Sequence, residues 1–292
     1  MSKVLSLTIR NLKRYSRDKG ALFFSFLSVF IVVGLYVLFL ADMQIDVIKA
    51  AIGDVEYVDQ VIYAWILAGV LCIPAVSVPL ILLTFKVEDF VDGVQDDLYV
   101  TPVKRTYIMF GYVLAALVAG LVMTFLTLVL GQLFIFLKGG TILSLAATIK
   151  VLGIISLTII AFSGLSFFVV QPLKSNSSVM VVNTILNTLI GFFAGLFVPI
   201  GFLSDGIGNV IKGFPLAHAT ALLRQTIMES SMQQAFQSTP VEVIAALRSD
   251  YGIDIVIGSH LFTRSEMVLM LVLLCLIFYP GSALLLAKST RK

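Results

Sequence analysis

Six separate stretches of this chain are each long and apolar enough to cross a lipid bilayer, and that repetition decides what the chain folds into. A spanning helix needs about 20 largely apolar residues. The runs cover roughly 21–41, 61–85, 107–137, 147–170, 179–198 and 267–287. The third is longer than a bilayer requires, which predicts tilt or protrusion at one end. The first has a basic flank like that of a signal peptide. Its apolar core exceeds the 7–15 residues of such a peptide, and FLADMQ is a poor cleavage site, so it is expected to be a retained span. Composition agrees. The chain is 59% hydrophobic and 13% charged, whereas soluble domains hold roughly 45–50% apolar and about 25% charged residues.

Loop charge sets the expected orientation, because Lys and Arg concentrate on the cytoplasmic side. With the N-terminus inside, thirteen cations are cytoplasmic, from Lys3 to Lys292, and seven are external: Lys49, Lys138, Lys150, Lys212, Arg224, Arg248 and Arg264. Both termini are then cytoplasmic. Residues 1–19 form their own unit. Leu5, Ile9 and Leu12 recur at i, i+4 and i+7, and Arg10, Lys13, Arg14 and Arg17 cover much of the rest. The pattern suits an interfacial helix with its bases at anionic headgroups of membrane lipid, or a basic flank that only fixes topology.

The loop of residues 199–265 is an external elaboration. VPIGFLSDGIGNVIKGFP is apolar, Gly-rich and bounded by Pro199 and Pro215, and is expected to dip back into the membrane. STPVEVIAALRSDYG reads as an external helix, with Thr239 as N-cap, Pro240 in the first turn, Glu242 completing a capping box, and Gly252 as its stop. No internal repeat or linker divides residues 1–292, which are expected to form a single membrane domain.

Few residues invite chemistry. Cys72 and Cys275 lie far apart within apolar runs and read as inert thiols. His218 and His260 are isolated and read as packing or surface residues. There is no H-E-x-x-H, no G-x-S-x-G and no pair of acids within a span, so neither an enzyme nor an ion-coupled carrier is expected. No basic block with interleaved aromatics points to nucleic acid. Asn183 and Asn187 lie one turn apart in the fifth run, and Gln132 lies in the third. Such groups either line a path or hydrogen-bond between helices. Pro74 and Pro79 in the second run and Pro280 in the sixth are expected to kink their helices.

The exception is a charged island, FKVEDFVDGVQDDLYVTPVKR, at residues 85–105. Read as one helix, it sets Val87, Phe90, Val91, Val94 and Leu98 on one face and Glu88, Asp92 and Asp96 on another. Like charges at that spacing cost a few tenths of a kcal/mol per pair. The pattern alone fits a basic docking groove as well as it fits a solvated acidic loop.

EDFVDGVQDDLYVTPVKRTYIMFGYVL resembles the first cytoplasmic loop of type 2 exporter permeases of the ATP-binding-cassette (ABC) class. The matching residues are Glu88 or Asp89, Gly93, Asp96 or Asp97, Leu98, Thr101, Pro102 and Arg105. Where that family commonly carries a Lys, this chain has Tyr112. GLFVPIGFLSDGIGNVIKGFPLAHATALLRQ is similar to the family's segment after span five, through Gly195, Pro199, Phe214-Pro215-Leu216 and Arg224. The family often has a second Pro at Ser204-Asp205 and a Tyr near His218.

The resemblance implies an all-α integral membrane fold of six spans with a coupling helix at residues 86–100 seated in a nucleotide-binding subunit. Phe90, Val91, Val94 and Leu98 would anchor that helix, and Asp92, Asp96 and Asp97 would meet basic residues of the subunit. Glu88, Asp89, Gly93 and Pro102 complete the coupling set, and QPLKSNSS (171–178) would be a second contact. The resemblance further implies two permeases, this chain with a second copy or a paralogue, and two ATPase subunits in the plasma membrane. Their cargo would be an amphiphile: a drug, an antimicrobial peptide or a lipid-like molecule. The chain has no P-loop. Its nearest approach, GIGNVIKG at 206–213, lacks the Gly-Lys-Ser/Thr ending. This chain would therefore bind no cofactor, with ATP and Mg entering through the partner. A membrane scaffold or sensor whose acidic loop recruits another protein is the alternative.

Overall fold

The computed structural model describes residues 2–53 and 55–289. Arg291 and Lys292, and the side chain of Lys288, lie outside what is described. Every apolar run is helical. The amphipathic N-terminus is α1 (Ser2–Arg17). The first run is α2 (Lys19–Leu35), which widens into a π-turn (Tyr36–Leu40) and continues as α3 (Ala41–Ile52). The remaining runs are α4 (Val58–Val91), α6 (Arg105–Leu137), α7 (Leu145–Val170), α8 (Asn176–Phe193) and α13 (Arg264–Ser289). Five of these are singly long and apolar enough to span a membrane, and α1 with α2, which meet at 79°, make up to six if that bent pair counts as one broken span.

Helix α4 is the axis of the bundle. In its most apolar stretch 89% of the residues are buried, against 17% in α8 and in α13. It packs against α6, α7, α8 and α10 (Pro215–Ile227), while α13 packs on α7 and α10. Glycines set the close approaches. A Cβ on Gly111 of α6 would lie 2.6 Å from Leu7 Cβ of α1. Ser144 and Ser175 cap α7 and α8 by accepting from the amides of Ala147 and Ser178, each cap contributing about 1 kcal/mol. Both α4 and α13 stay helical through Pro74, Pro79 and Pro280, so the expected kinks do not interrupt them.

Two ends follow from this order. The charged end carries α1, the island and the 171–175 loop. The opposite end carries residues 53, 55–57, 138–144 and 194–263. There the chain makes a 3-10 turn (Ile200–Phe202), α9 (Asp205–Lys212), α10, α11 (Glu229–Ala235), α12 (Val241–Asp250) and a hairpin of β1 (Val256–Ile257) with β2 (His260–Leu261).

This region corrects two expectations. The element sunk among the spans is not residues 198–215 but the helix that follows them. Every residue of α10 from Leu216 to Ile227 is buried. Pro215 starts it at the first turn, where a missing N–H costs nothing, and Ala217, Ala219 and Ala221 let it lie close to its neighbours. At 13 residues it is about 20 Å long, too short to span. Second, Thr239 does not cap α12. Pro240 occupies that position without a side-chain cap. Gly252 does follow the helix with φ +60°, as a stop requires.

Arg224, counted from sequence among external loop cations, is fully buried in α10. Its Nη2 donates to the carbonyls of Ala194 (3.2 Å) and Gly195 (2.8 Å), and its Nη1 to Gly252 (3.3 Å). The guanidinium lies 4.6 Å from the centre of the Trp65 ring. Trp65 donates to the Tyr251 carbonyl at 2.7 Å, and Tyr251 donates to Gln44 Oε1 at 2.7 Å. One cation thus joins α10, the end of α8, the end of α12 and α4. A Lys offers one compact ammonium in place of a planar fork. Arg224→Lys is expected to lose at least one charge-assisted bond, about 1.5–3 kcal/mol, and to lower the melting temperature of the purified chain by roughly 3–10 °C. An unshifted melting curve would refute this role.

Candidate functional site

The charged island is not one helix. Residues 86–91 are the last turn and a half of α4, the helix stops at Asp92 and Gly93, and a short α5 (Val94–Tyr99) follows. Gly93 adopts φ +77°, a left-handed conformation open to Gly and costly for most other residues. The break overturns the expected single coupling helix over 86–100 and its shared apolar stripe. Phe90 and Val91 are exposed, Val94 is half-buried, and Leu98 packs inward against the hydrophobic cluster at this end. Val100, which follows α5, is the most exposed apolar residue here at 86%.

The break also sorts the acids. Asp89 faces inward and is 1% exposed. Its Oδ1 accepts from Arg10 Nη2 (2.8 Å) and Arg14 Nη1 (2.8 Å), and its Oδ2 accepts from Arg10 Nη2 (2.7 Å) and from the Tyr112 hydroxyl. Glu88 accepts from Arg14 Nη2 at 2.5 Å, and Arg14 also stacks 4.4 Å from the Phe85 ring centre. Burial alone would lower the Arg10 pKa. Hydrogen bonds to Asp89 and Tyr112 outweigh it and hold Arg10 above its ordinary value. Glu88 and Asp89 therefore do not reach outward to a partner, as the sequence reading had them. They lock α1 onto α4 and α6.

Two further bonds knit this end. Lys3 Nζ donates to the Pro102 carbonyl at 3.2 Å, fixing the start of α1 to the loop after α5. Lys86, itself buried, donates to the Gln171 carbonyl at 2.7 Å, fixing α4 to the 171–175 loop. Arg105 lies 4.3 Å over the Tyr99 ring. What remains outward is Asp92, Asp96 and Asp97, all exposed and, among the described residues, making no hydrogen bond or ion pair. They share the surface with Phe90, Val91 and Val100. In the neighbouring loop, Lys174 is exposed as well.

The three amide side chains expected along a path do not meet in one cavity. Gln132 lines a cavity of about 330 Å³ at the opposite end, to which α8 contributes no residue. Its Oε1 accepts from the Leu143 amide at 3.0 Å. Asn183 and Asn187 lie on α8. Asn187 Nδ2 donates to the Asn183 carbonyl at 2.8 Å, and the buried Asn183 Oδ1 has no partner. Thr184, Asn187 and Thr188 are exposed.

Sequence reasoning missed the Arg10–Arg14–Asp89–Tyr112 cluster. Its signal was present. Arg10 and Arg14 are one turn apart, and Asp89 falls one turn past the end of the apolar run 61–85, where a helix that runs on carries it back to the bundle. Removing Asp89 leaves Arg10 without its carboxylate and Arg14 with Glu88 alone. Asp89→Ala is expected to destabilise this end by roughly 3 kcal/mol and to free α1, read as trypsin cleavage after Arg10 and Arg14 under conditions where the native chain resists. Asp92→Ala is the control and should leave cleavage unchanged. Equal protection of both variants would rule out the lock.

A family model described as ABC-2 family transporter protein matches residues 53–286, from the end of α3 into the last turns of α13. No curated protein matches the chain.

Proposed function

The chain belongs to the ABC-2 family of transporter proteins, a family of multi-pass membrane permeases whose ATPase is a partner chain, and we propose that it carries an amphiphilic substrate outward. In this reading the charged end is cytoplasmic, both termini lie there, and the membrane is the plasma membrane. The helix α1 lies in the interface, with exposed Leu5 and Ile9 toward acyl chains. Residues 199–265 are the external elaboration of a single permease domain.

The observation that carries the proposal is the sorting of the acids. Asp89 and Glu88 are spent within the chain, while Asp92, Asp96 and Asp97 stand free beside exposed Phe90, Val91 and Val100. Solvent-exposed apolar side chains ringed by unpaired carboxylates, held on a locked base, suit a partner groove with an apolar floor and a basic rim. That partner is the ATPase, which binds ATP and Mg. Gly93 and Pro102 bracket the docking segment, with Val94 and Leu98 supporting it from beneath.

Two permeases and two ATPases make the working unit. Helix α8 supports this stoichiometry. It is the least buried span together with α13, yet it turns Thr184, Asn187 and Thr188 outward. Polar side chains in hydrocarbon turn toward protein or water. A second copy or a paralogue of this chain, facing α8 across a substrate path, supplies both. ATP binding draws the two ATPases together, their motion loads the docking segments, and the spans rearrange around the path. The apolar spans favour a drug, a hydrophobic peptide or a lipid-like molecule over a small ion.

The test is reversal of the free acids. The triple variant Asp92→Lys, Asp96→Lys, Asp97→Lys is expected to fold, since all three are exposed, and to lose at least about ten-fold of the ATPase recovered in a mild-detergent pull-down. Full ATPase recovery with the triple variant would remove the docking assignment. Recovery of the native chain with a non-ATPase partner would instead favour the scaffold reading.

A further inference from the structure

The end opposite the docking surface holds two cavities that adjoin. The first is the cavity of about 330 Å³ lined by Gln60, Gln132, Thr226, Glu229 and Ser231. The second, of about 190 Å³, is apolar and lies between α2, α4 and α6, lined by Phe30, Val33, Leu67, Val70, Leu130 and Phe134. Ile135 lines both. The first cavity meets α4 at Gln60 and Ala64, and the second meets it from Tyr63 to Val70. From Gln60 to Val70 the helix descends about 15 Å, or half of a hydrocarbon core about 30 Å thick. A polar chamber thus opens beside an apolar cleft, and the two together follow α4 for about 15 Å.

The chamber has a chemical bias. Thr226 donates its hydroxyl proton to the Leu222 carbonyl (2.9 Å), Ser231 to Met228 (3.1 Å), and the Gln60 amide to Gly139 (3.2 Å). The hydroxyl protons of Thr226 and Ser231 are thus committed to the backbone, while Gln60, Gln132 and Gln233 keep amide groups that both donate and accept. Glu229 is exposed and is the one charged residue lining the chamber. Arg248 and Arg264 line an adjoining cavity with Glu229, but Arg248 donates two bonds to Asp254 and Arg264 donates to Gln225 Oε1. A mixed polar chamber whose one charged lining residue is a carboxylate favours a positively charged head and disfavours an anionic one.

We propose that the two cavities form one site at the external end of the bundle for a cationic single-chain amphiphile on its way outward, its ammonium head beside Glu229 and its chain in the cleft between α2, α4 and α6. The site deepens the substrate reading above but uses none of the docking residues, so the two fail separately.

The test is photolabelling of the chain with its ATPase in nanodiscs, using a dodecyltrimethylammonium probe with a diazirine at the chain end. Labelled peptides covering 63–70 and 127–135 are expected, and Glu229→Lys should lower that labelling about ten-fold. A dodecyl sulfate probe of the same length should label the cleft weakly in the native chain and better in Glu229→Lys. Val70→Trp, which fills the cleft, should block both probes. Equal labelling by the two probes with no response to Glu229→Lys would overturn the proposal and leave a crevice that takes any lipid chain. Labelling spread evenly over all lipid-facing spans would overturn it too. ATPase retention is read on the same samples. Lost labelling with ATPase bound counts against this site alone, whereas lost ATPase counts against the docking surface.

Discussion

A carboxylate withdrawn from water costs several kcal/mol unless its charge is matched where it sits, and Asp89 obliges the charged end of this protein to meet that demand. Three elements contribute. Helix α1 brings Arg10 and Arg14, α6 brings Tyr112, and α4 brings the acid itself. None of the three can move off without exposing an unmatched charge to apolar neighbours. The identity of residue 112 follows from the count. Arg10 and Arg14 are balanced by Asp89 and Glu88. A Lys at 112, as the resemblance would have it, would add a third cation around one buried acid. The phenol of Tyr112 donates the same hydrogen bond and adds no charge.

The opposite end solves a related problem with different material. Arg224 is as buried as Asp89, but backbone carbonyls and the face of Trp65 receive it in place of a carboxylate. Two glycines make this possible. Gly195 and Gly252 have φ of +55° and +60°, and a Cβ on Gly252 would stand 2.9 Å from Arg224 Nη1. The carbonyls turn toward the guanidinium because the chain reverses there, after α8 and after α12. So α4 is pinned near both its ends by a buried charge, with apolar packing between.

The spans were legible because a run of 20 apolar residues has no other way to satisfy its backbone in lipid. Helix α10 was not. Thirteen residues fall below the length of a span, and His218, Arg224 and Gln225 disguise a segment that the fold buries completely. The island shows a second limit. Glu88, Asp92 and Asp96 lie on one face only if the helix runs on, and Gly93 in a left-handed conformation separates them. Capping shows a third. The pattern T-x-x-E occurs at Thr239–Glu242 and at Thr263–Glu266. In the second, the Thr263 amide donates to Glu266 Oε2 (2.7 Å) and the Glu266 amide to Thr263 Oγ1 (3.3 Å), a complete capping box at the start of α13. In the first, Pro240 takes the cap position and the helix starts one residue later than the pattern supposes. Local pattern names the possibility, and the neighbouring residue decides it. The exposed acids Asp92, Asp96 and Asp97 were legible as acids, but their freedom was not. That depended on Arg10 and Arg14, some 75 residues away, choosing Asp89 and Glu88.

Mechanical consequences follow from where the break at Gly93 falls. A single helix over 86–100 would pass a push at its tip directly into α4. With Asp92 and Gly93 interposed, α5 bears on the bundle through packing. Leu98 and Tyr99 press on the cluster that holds Val78, Leu82, Tyr112 and Ala116, and Lys3 ties the following loop to α1. A load on α5 therefore reaches α1, α4 and α6 together, at the level where Asp89 already joins them. The 171–175 loop enters the same unit through Lys86. Because packed cores are close to incompressible, these elements shift as one body rather than in turn. The left-handed glycine separates the exposed surface of α5 from α4, and the buried carboxylate joins α4 to α1 and α6, so a partner gripping α5 would act on the whole end of the bundle.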